Sequence, residues 1–132
     1  MKAFISIKYH EDRRNEEIIN RISHALEQRD IKTICIIRDV ERWGELRYSS
    51  QDLMRITFKE IDTSDVIVLD LTEKGVGVGI EAGYAYANGK PIITIAKYGS
   101  EISETLKGIS NSIFTYKSIE EITQILTQIH LQ

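Results

Sequence analysis

Short β-branched runs alternate along this chain with longer stretches whose apolar residues recur at helical spacing. The first run predicts a strand from Lys2 to Ile7. The next segment, roughly Asp12 to Arg29, gathers Ile18, Ile19, Ile22, Ala25 and Leu26 on one helical face. Thr33 to Ile37 is continuous in apolar residues, which predicts a strand covered on both sides. After a polar stretch, Arg38 to Ser50, either Ser49 or Ser50 is placed to cap a helix reaching about Asp62. That helix has Leu53, Ile56 and Ile61 as its apolar positions. Val66 to Leu71, inside DVIVLDL, predicts a third strand buried on both faces.

The passage KGVGVG then leads to a helix over about Ile80 to Asn88, with Gly89 as its C-cap, and Pro91 opens a fourth strand in PIITIA. A short helix near Ser103, a fifth strand from Ser112 to Tyr116 and a last helix follow. The last helix carries Ile119, Ile122, Ile125, Leu126 and Ile129 at helical spacing. Five strands alternating with helices predict an α/β fold: a doubly wound, five-stranded parallel sheet in a flavodoxin- or Rossmann-like three-layer sandwich. Strand order 2-1-3-4-5 is the expected arrangement at this size. No linker, repeat or low-complexity tract divides the chain, so residues 1–132 read as one domain.

Composition narrows the function classes. Of the 132 residues, 42% are hydrophobic and 28% charged, which is globular rather than disordered composition. A net charge of -3 supplies no basic footprint for duplex nucleic acid, although backbone amides can still hold the phosphate of a small nucleotide. Lone Cys35, in TICII, excludes an internal disulfide and reads as a small buried hydrophobe. No run approaches the ~20 apolar residues of a membrane span, and the N-terminal apolar stretch is short for a signal peptide. A cytoplasmic location is the expectation. His10, His24 and His130 lack metal-ligand spacing and read as surface residues, and neither a metal nor a cofactor is expected.

In a sheet of this order, ligands bind beyond the carboxyl ends of the strands, where strand order reverses between strands one and three. That topology selects Ser6, Ile7, Lys8 and Tyr9, together with the loop Leu71 to Gly79. Gly75, Gly77 and Gly79 are expected to bring backbone close to a ligand, with positive φ available to them. Glu81 is expected in the first helical turn, where free N–H groups favour a carboxylate in its ionised form. From the pattern alone the favoured reading of Glu81 is a helix-capping acid, since acids are enriched in first turns. G77-V-G-I-E-A-G83 is akin to a dinucleotide fingerprint, but it follows the third strand, and the place about 20 residues on carries Lys97.

Three stretches together resemble the nucleoside 2-deoxyribosyltransferase superfamily, with its deoxynucleoside 5′-monophosphate N-glycosidases. They are FISIK, LMRITFKEIDT and SDVIVLDLTEKGVGVGIEAGYAYANGKPIITIA. The resemblance implies cleavage or transfer at the N-glycosidic bond of a (deoxy)nucleoside or its monophosphate. It makes Glu81 the nucleophile that forms a glycosyl-enzyme intermediate, and puts Ser6, Ile7 and Lys8 at the sugar-phosphate end. It also implies a homodimer or larger assembly, with Ser103, Thr105 or Asn111 reaching a neighbouring subunit's ligand.

Two positions depart from the family pattern. An aspartate that assists the leaving base is replaced by Thr57, and Gly75 stands where Asp or Ser reads the 5′ end. Asp70 and Asp39, ending strands three and two, are the candidate replacement acids, and Tyr9 and Trp43 are candidates to stack on a base. Two other readings accompany this one. The segment FISIKYHED also resembles the opening of TIR domains, some of which cleave NAD, and the two departures suit a non-catalytic nucleotide-binding module.

Overall fold

A computed structural model describes residues 1–131. The chain runs β1 (Lys2–Ser6), α1 (Glu16–Glu27), β2 (Lys32–Ile34), a π-helical turn (Ile36–Val40), α2 (Ser50–Asp62) and β3 (Val66–Asp70). It continues through α3 (Val76–Ala87), β4 (Ile92–Lys97), α4 (Glu104–Ile109), β5 (Ser112–Tyr116) and α5 (Ile119–Gln128). All four strand pairings are parallel and the order is β2-β1-β3-β4-β5, as the alternation of elements predicts.

Strand parity divides the core into two layers. Ala3, Ile5, Val66, Val68, Ile93 and Ile95 face α1 and α5, meeting Ile19, Ile22, Ile122 and Leu126. Phe4, Ile67, Leu69, Ile92 and Ala96 face the other way, onto Ile61, Val78, Ala82, Ala85 and Leu106 of α2, α3 and α4. The central strand β3 is buried along its whole length, which accounts for its unbroken apolar sequence. The same parity fixes two polar residues at the strand ends. Ser6 continues the face of Phe4, towards α3, whereas Asp70 continues the face of Val66 and Val68, away from it.

Three elements differ from the sequence expectation. Helix α1 begins at Glu16 instead of Asp12, because Arg13 takes a left-handed φ of 61° and the Asp12 carboxylate ties down Arg14. β2 is an edge strand of three residues, not a covered one of five. Past Ile34 the backbone N–H of Cys35 turns to the Asp39 carboxylate at 2.9 Å, and the chain enters the π-helical turn. Helix α3 starts four residues early, at Val76. Gly75 is its N-cap, with extended backbone (φ -156°), and Gly77 and Gly79 are helical residues rather than left-handed loop positions. Burial of Val78, Ala82 and Ala85 carries the helix through glycines whose intrinsic propensity opposes it. Gly89, just beyond the Asn88 C-cap, takes a left-handed φ of 74°.

Candidate active site

Helix phase aims Glu81 at the sheet. It lies three residues after Val78 and four before Ala85, on the flank of the buried stripe and above the end of β1. There its Oε1 accepts a hydrogen bond of 2.6 Å from the Ser6 hydroxyl, which is itself only 1% exposed. The second carboxylate oxygen is left without a hydrogen bond among the described residues.

Two adjoining cavities meet at this carboxyl. One, of about 300 Å³, is walled by Ile5, Ile7, Cys35, Ile36, Ile37, Leu53 and Met54, with Tyr9, Glu41, Thr57 and Gly77 completing it around Glu81. The other, of about 230 Å³, is lined by Lys8 and by Gly75, Val76 and Val78 at the start of α3, and shares Ile7, Tyr9, Gly77 and Glu81 with the first. The first cavity is mainly apolar, with two carboxyls in its wall, and suits a flat ring. The second offers an ammonium group and the free N–H groups of a helix start, which suit an anion. A wider depression of about 680 Å³ lies along α1, among Arg13, Arg14, Arg21 and His24, on the opposite side of the sheet. It is an open, charged surface that shares no lining residue with the two cavities at Glu81.

Electrostatics at Glu81 run against the sequence expectation. Counting from Val76, Glu81 is the sixth residue of α3, beyond the first turn in which the helix dipole acts. Removal from water dominates instead and pushes its pKa up from 4.5 to about 7. The Ser6 hydroxyl opposes that rise, and the nearby Glu41 carboxyl adds to it. Glu81 is therefore divided between protonated and ionised forms near neutral pH. Glu41 is itself held above the usual carboxylate range by burial. Cys35 contributes an apolar wall, since burial pushes its thiol up to about 12 and keeps it protonated.

Of the other expected site residues, Ser6, Ile7, Lys8, Tyr9, Gly75 and Gly77 come together at the two cavities. Asp70 does not. It is 2% exposed on the far face of the sheet, where it accepts hydrogen bonds from the Tyr116 hydroxyl (2.7 Å) and the Thr72 N–H (2.9 Å). Burial raises its pKa, and the bonds from Thr72 and Tyr116 oppose the rise. These bonds pin the ends of β3 and β5 together. Asp39 is occupied by Arg38 and by the Cys35 N–H, and lines neither cavity.

Trp43 packs against the α1 layer with Arg13 over its ring at 5.3 Å, so of the two aromatic candidates only Tyr9 reaches the site. Gly79 faces open space, and Lys74 turns away to Glu101 at 3.1 Å. Within this chain Thr105 lies near the Ser103 hydroxyl that caps α4, and Asn111 accepts the Ile92 N–H, both away from Glu81. His10 is partly buried against Glu73 at 3.0 Å rather than a free surface residue. Thr57, buried in the cavity wall, has its hydroxyl committed to the Leu53 carbonyl at 2.8 Å.

Sequence reasoning missed Glu41 and the apolar wall formed by Cys35, Ile36, Ile37 and Met54. The wall arises where β2 stops early and the π-helical turn folds across the strand ends, a geometry with no periodic signature. No cluster of three or more His, Cys, Asp or Glu residues that could hold a metal ion occurs among the described residues. Nor is any described helix long and apolar enough to cross a membrane.

The fold and site together define a doubly wound α/β protein with an acidic group set between a ring-sized and an anion-friendly cavity. Residues 6–115 match the sequence model of the nucleoside 2-deoxyribosyltransferases, and the chain belongs to that enzyme family. No curated protein matches it in sequence. Among solved structures, it is similar to the CMP N-glycosidase BcmB of Clostridium botulinum. The two are 20% identical with a TM-score of 0.70, over 96% of this chain and 97% of that one. It is also similar to a 2-deoxyribosyltransferase of Bacillus psychrosaccharolyticus, 11% identical with a TM-score of 0.74, over 98% and 93%. At these identities the likeness speaks to the fold.

Proposed function

We propose that the protein breaks the N-glycosidic bond of a (deoxy)nucleoside 5′-monophosphate or nucleoside, with Glu81 as nucleophile, and passes the sugar to water or to another base. The observation that carries this reading is the position of Glu81 at the junction of the two cavities. An N-glycosidic bond joins a flat base to a polar sugar, so a substrate spanning both cavities presents its anomeric carbon near this carboxyl. Ser6 holds Oε1 while the second oxygen attacks, and the developing positive charge on the sugar favours the ionised carboxylate.

Lys8 and the start of α3 support binding of a 5′-phosphate in the smaller cavity, and Gly75 presents no carboxylate to repel it. The family resemblance supports a homodimer or larger assembly. Val76 (82% exposed), Ile80 and Tyr86 leave apolar surface on the outer side of α3 that is consistent with one. Incubating the protein with a panel of nucleosides, their 5′-monophosphates and NAD, and measuring released base by chromatography, tests the proposal. Free base from a deoxynucleotide or deoxynucleoside is expected. Nicotinamide release alone, or binding without turnover, would refute it.

A further inference from the structure

In the ring-sized cavity the only acids are Glu81 and Glu41. Glu41 follows the π-helical turn, with its N–H bonded to the Ile36 carbonyl at 2.9 Å. The next three residues, Arg42, Trp43 and Gly44, all have left-handed backbone, with φ of 48°, 58° and 92°. Two successive non-glycine residues in that region carry a conformational cost. The reversal is held by the Trp43 N–H on the Ile37 carbonyl at 2.7 Å. This construction sets the Glu41 carboxyl in the cavity wall, where it makes no hydrogen bond or ion pair among the described residues. A partly buried, unpaired acid gives the fold nothing.

Resting on the N-glycosidase reading of this site, we infer that Glu41 is the acid that protonates the departing base. Thr57 cannot take that part, because it is not an acid and its hydroxyl is bonded to Leu53. Asp70 and Asp39 are turned elsewhere. In the first half-reaction a Glu81 oxygen bonds to the anomeric carbon and the carbon–nitrogen bond breaks. Its electron pair leaves with the base, which takes the proton from Glu41. In the second, the Glu41 carboxylate accepts a proton from the attacking water as that oxygen bonds to the anomeric carbon and Glu81 is released. Both residues end as they began.

The two carboxyls are close enough to repel when both are ionised, and the Glu41 charge adds to the rise that burial causes at Glu81. Tyr9, also in the wall, is close enough for the Glu41 charge to raise its phenol pKa, though less than burial does.

The test compares wild type, Glu41→Gln and Glu81→Gln on two substrates. One is a 2-deoxynucleoside 5′-monophosphate. The other is the same sugar phosphate bearing 4-nitrophenolate, which leaves without a proton. Glu41→Gln is expected to lose about 10²–10⁴-fold in kcat on the nucleotide but less than about tenfold on the nitrophenyl compound. Glu81→Gln is expected to lose both activities. Equal losses of Glu41→Gln on the two substrates, or none on the nucleotide, would overturn the role of Glu41 while leaving the glycosidase reading intact. A wild type inactive on both would overturn that reading and this inference with it. Circular dichroism of each variant excludes unfolding as the cause of a loss.

Discussion

Replacing Glu81 by Gln should make the protein more stable as it makes it inactive, and only above a certain pH. Burial raises the folded-state pKa of Glu81 from 4.5 to about 7. Below 4.5 the carboxyl is neutral in both folded and unfolded chains and costs nothing. As pH rises through this interval the unfolded chain releases the proton first, so native stability falls, and the loss is complete above about 7. At 1.36 kcal/mol for each pH unit the interval corresponds to at most about 3 kcal/mol. Water at the cavity mouth screens part of this, which brings the expectation to ~1–2 kcal/mol.

Gln imitates the neutral form at every pH and keeps an oxygen for the Ser6 hydroxyl. Urea unfolding can be followed through the single Trp, Trp43. Glu81→Gln should match wild type near pH 4.5 and exceed it by ~1–2 kcal/mol at pH 8.5, or roughly 4–8 °C in Tm. Asp70 and Glu41 titrate in both proteins and largely cancel from the difference. A gap independent of pH, or a Gln variant less stable than wild type at pH 8.5, would refute the assignment of a desolvated carboxyl to this position.

Three further outcomes follow from the same geometry. The acid limb of the kcat/KM profile should report Glu81 ionisation near pH 7 in wild type, and a limb near pH 4.5 would contradict the burial argument. Gly75→Asp places a carboxylate at the α3 N-cap, where an added Cβ meets only the Lys8 side chain, at ordinary contact distance (3.5 Å). It should weaken a 5′-monophosphate about tenfold or more relative to its nucleoside by calorimetric titration; unchanged relative affinity would show that this cap does not read phosphate. Asp70→Asn should keep most of the activity, whereas Asp70→Ala, which leaves the Tyr116 hydroxyl and Thr72 N–H without their acceptor, should cost about 1–3 kcal/mol in denaturant unfolding. A collapse of kcat in a folded Asp70→Asn protein would return that residue to the chemistry.

Periodicity and turn chemistry made most of the fold legible. The β3 run, the Ser49 cap of α2 and the Ser112–Tyr116 strand all sit where local sequence puts them. The topological switch point likewise selected Ser6, Ile7, Lys8 and Tyr9, which lie beside Glu81 and its two cavities. Misreadings arose where tertiary contacts override local preference. Gly77 and Gly79 read as loop residues, yet the helix around them is held by Val78 and Ala82, and the displaced start removes Glu81 from the dipole's reach. Asp70 looked like a site acid because it ends β3, but strand parity decides which side of the sheet a strand-end residue serves. Glu41 was hidden in a polar stretch, since the left-handed turn that aims it depends on β2 ending at Ile34.

The most direct test of the central claim is capture of the glycosyl-enzyme intermediate. The protein is mixed with a 2-deoxynucleoside 5′-monophosphate, quenched in acid within one turnover, and measured by intact mass and by mapping of its peptides. The account predicts a mass increase equal to the sugar phosphate, carried by the peptide containing Glu81 and absent from Glu81→Gln. Base release with no adduct at any quench time, or an adduct on a peptide lacking Glu81, would contradict it.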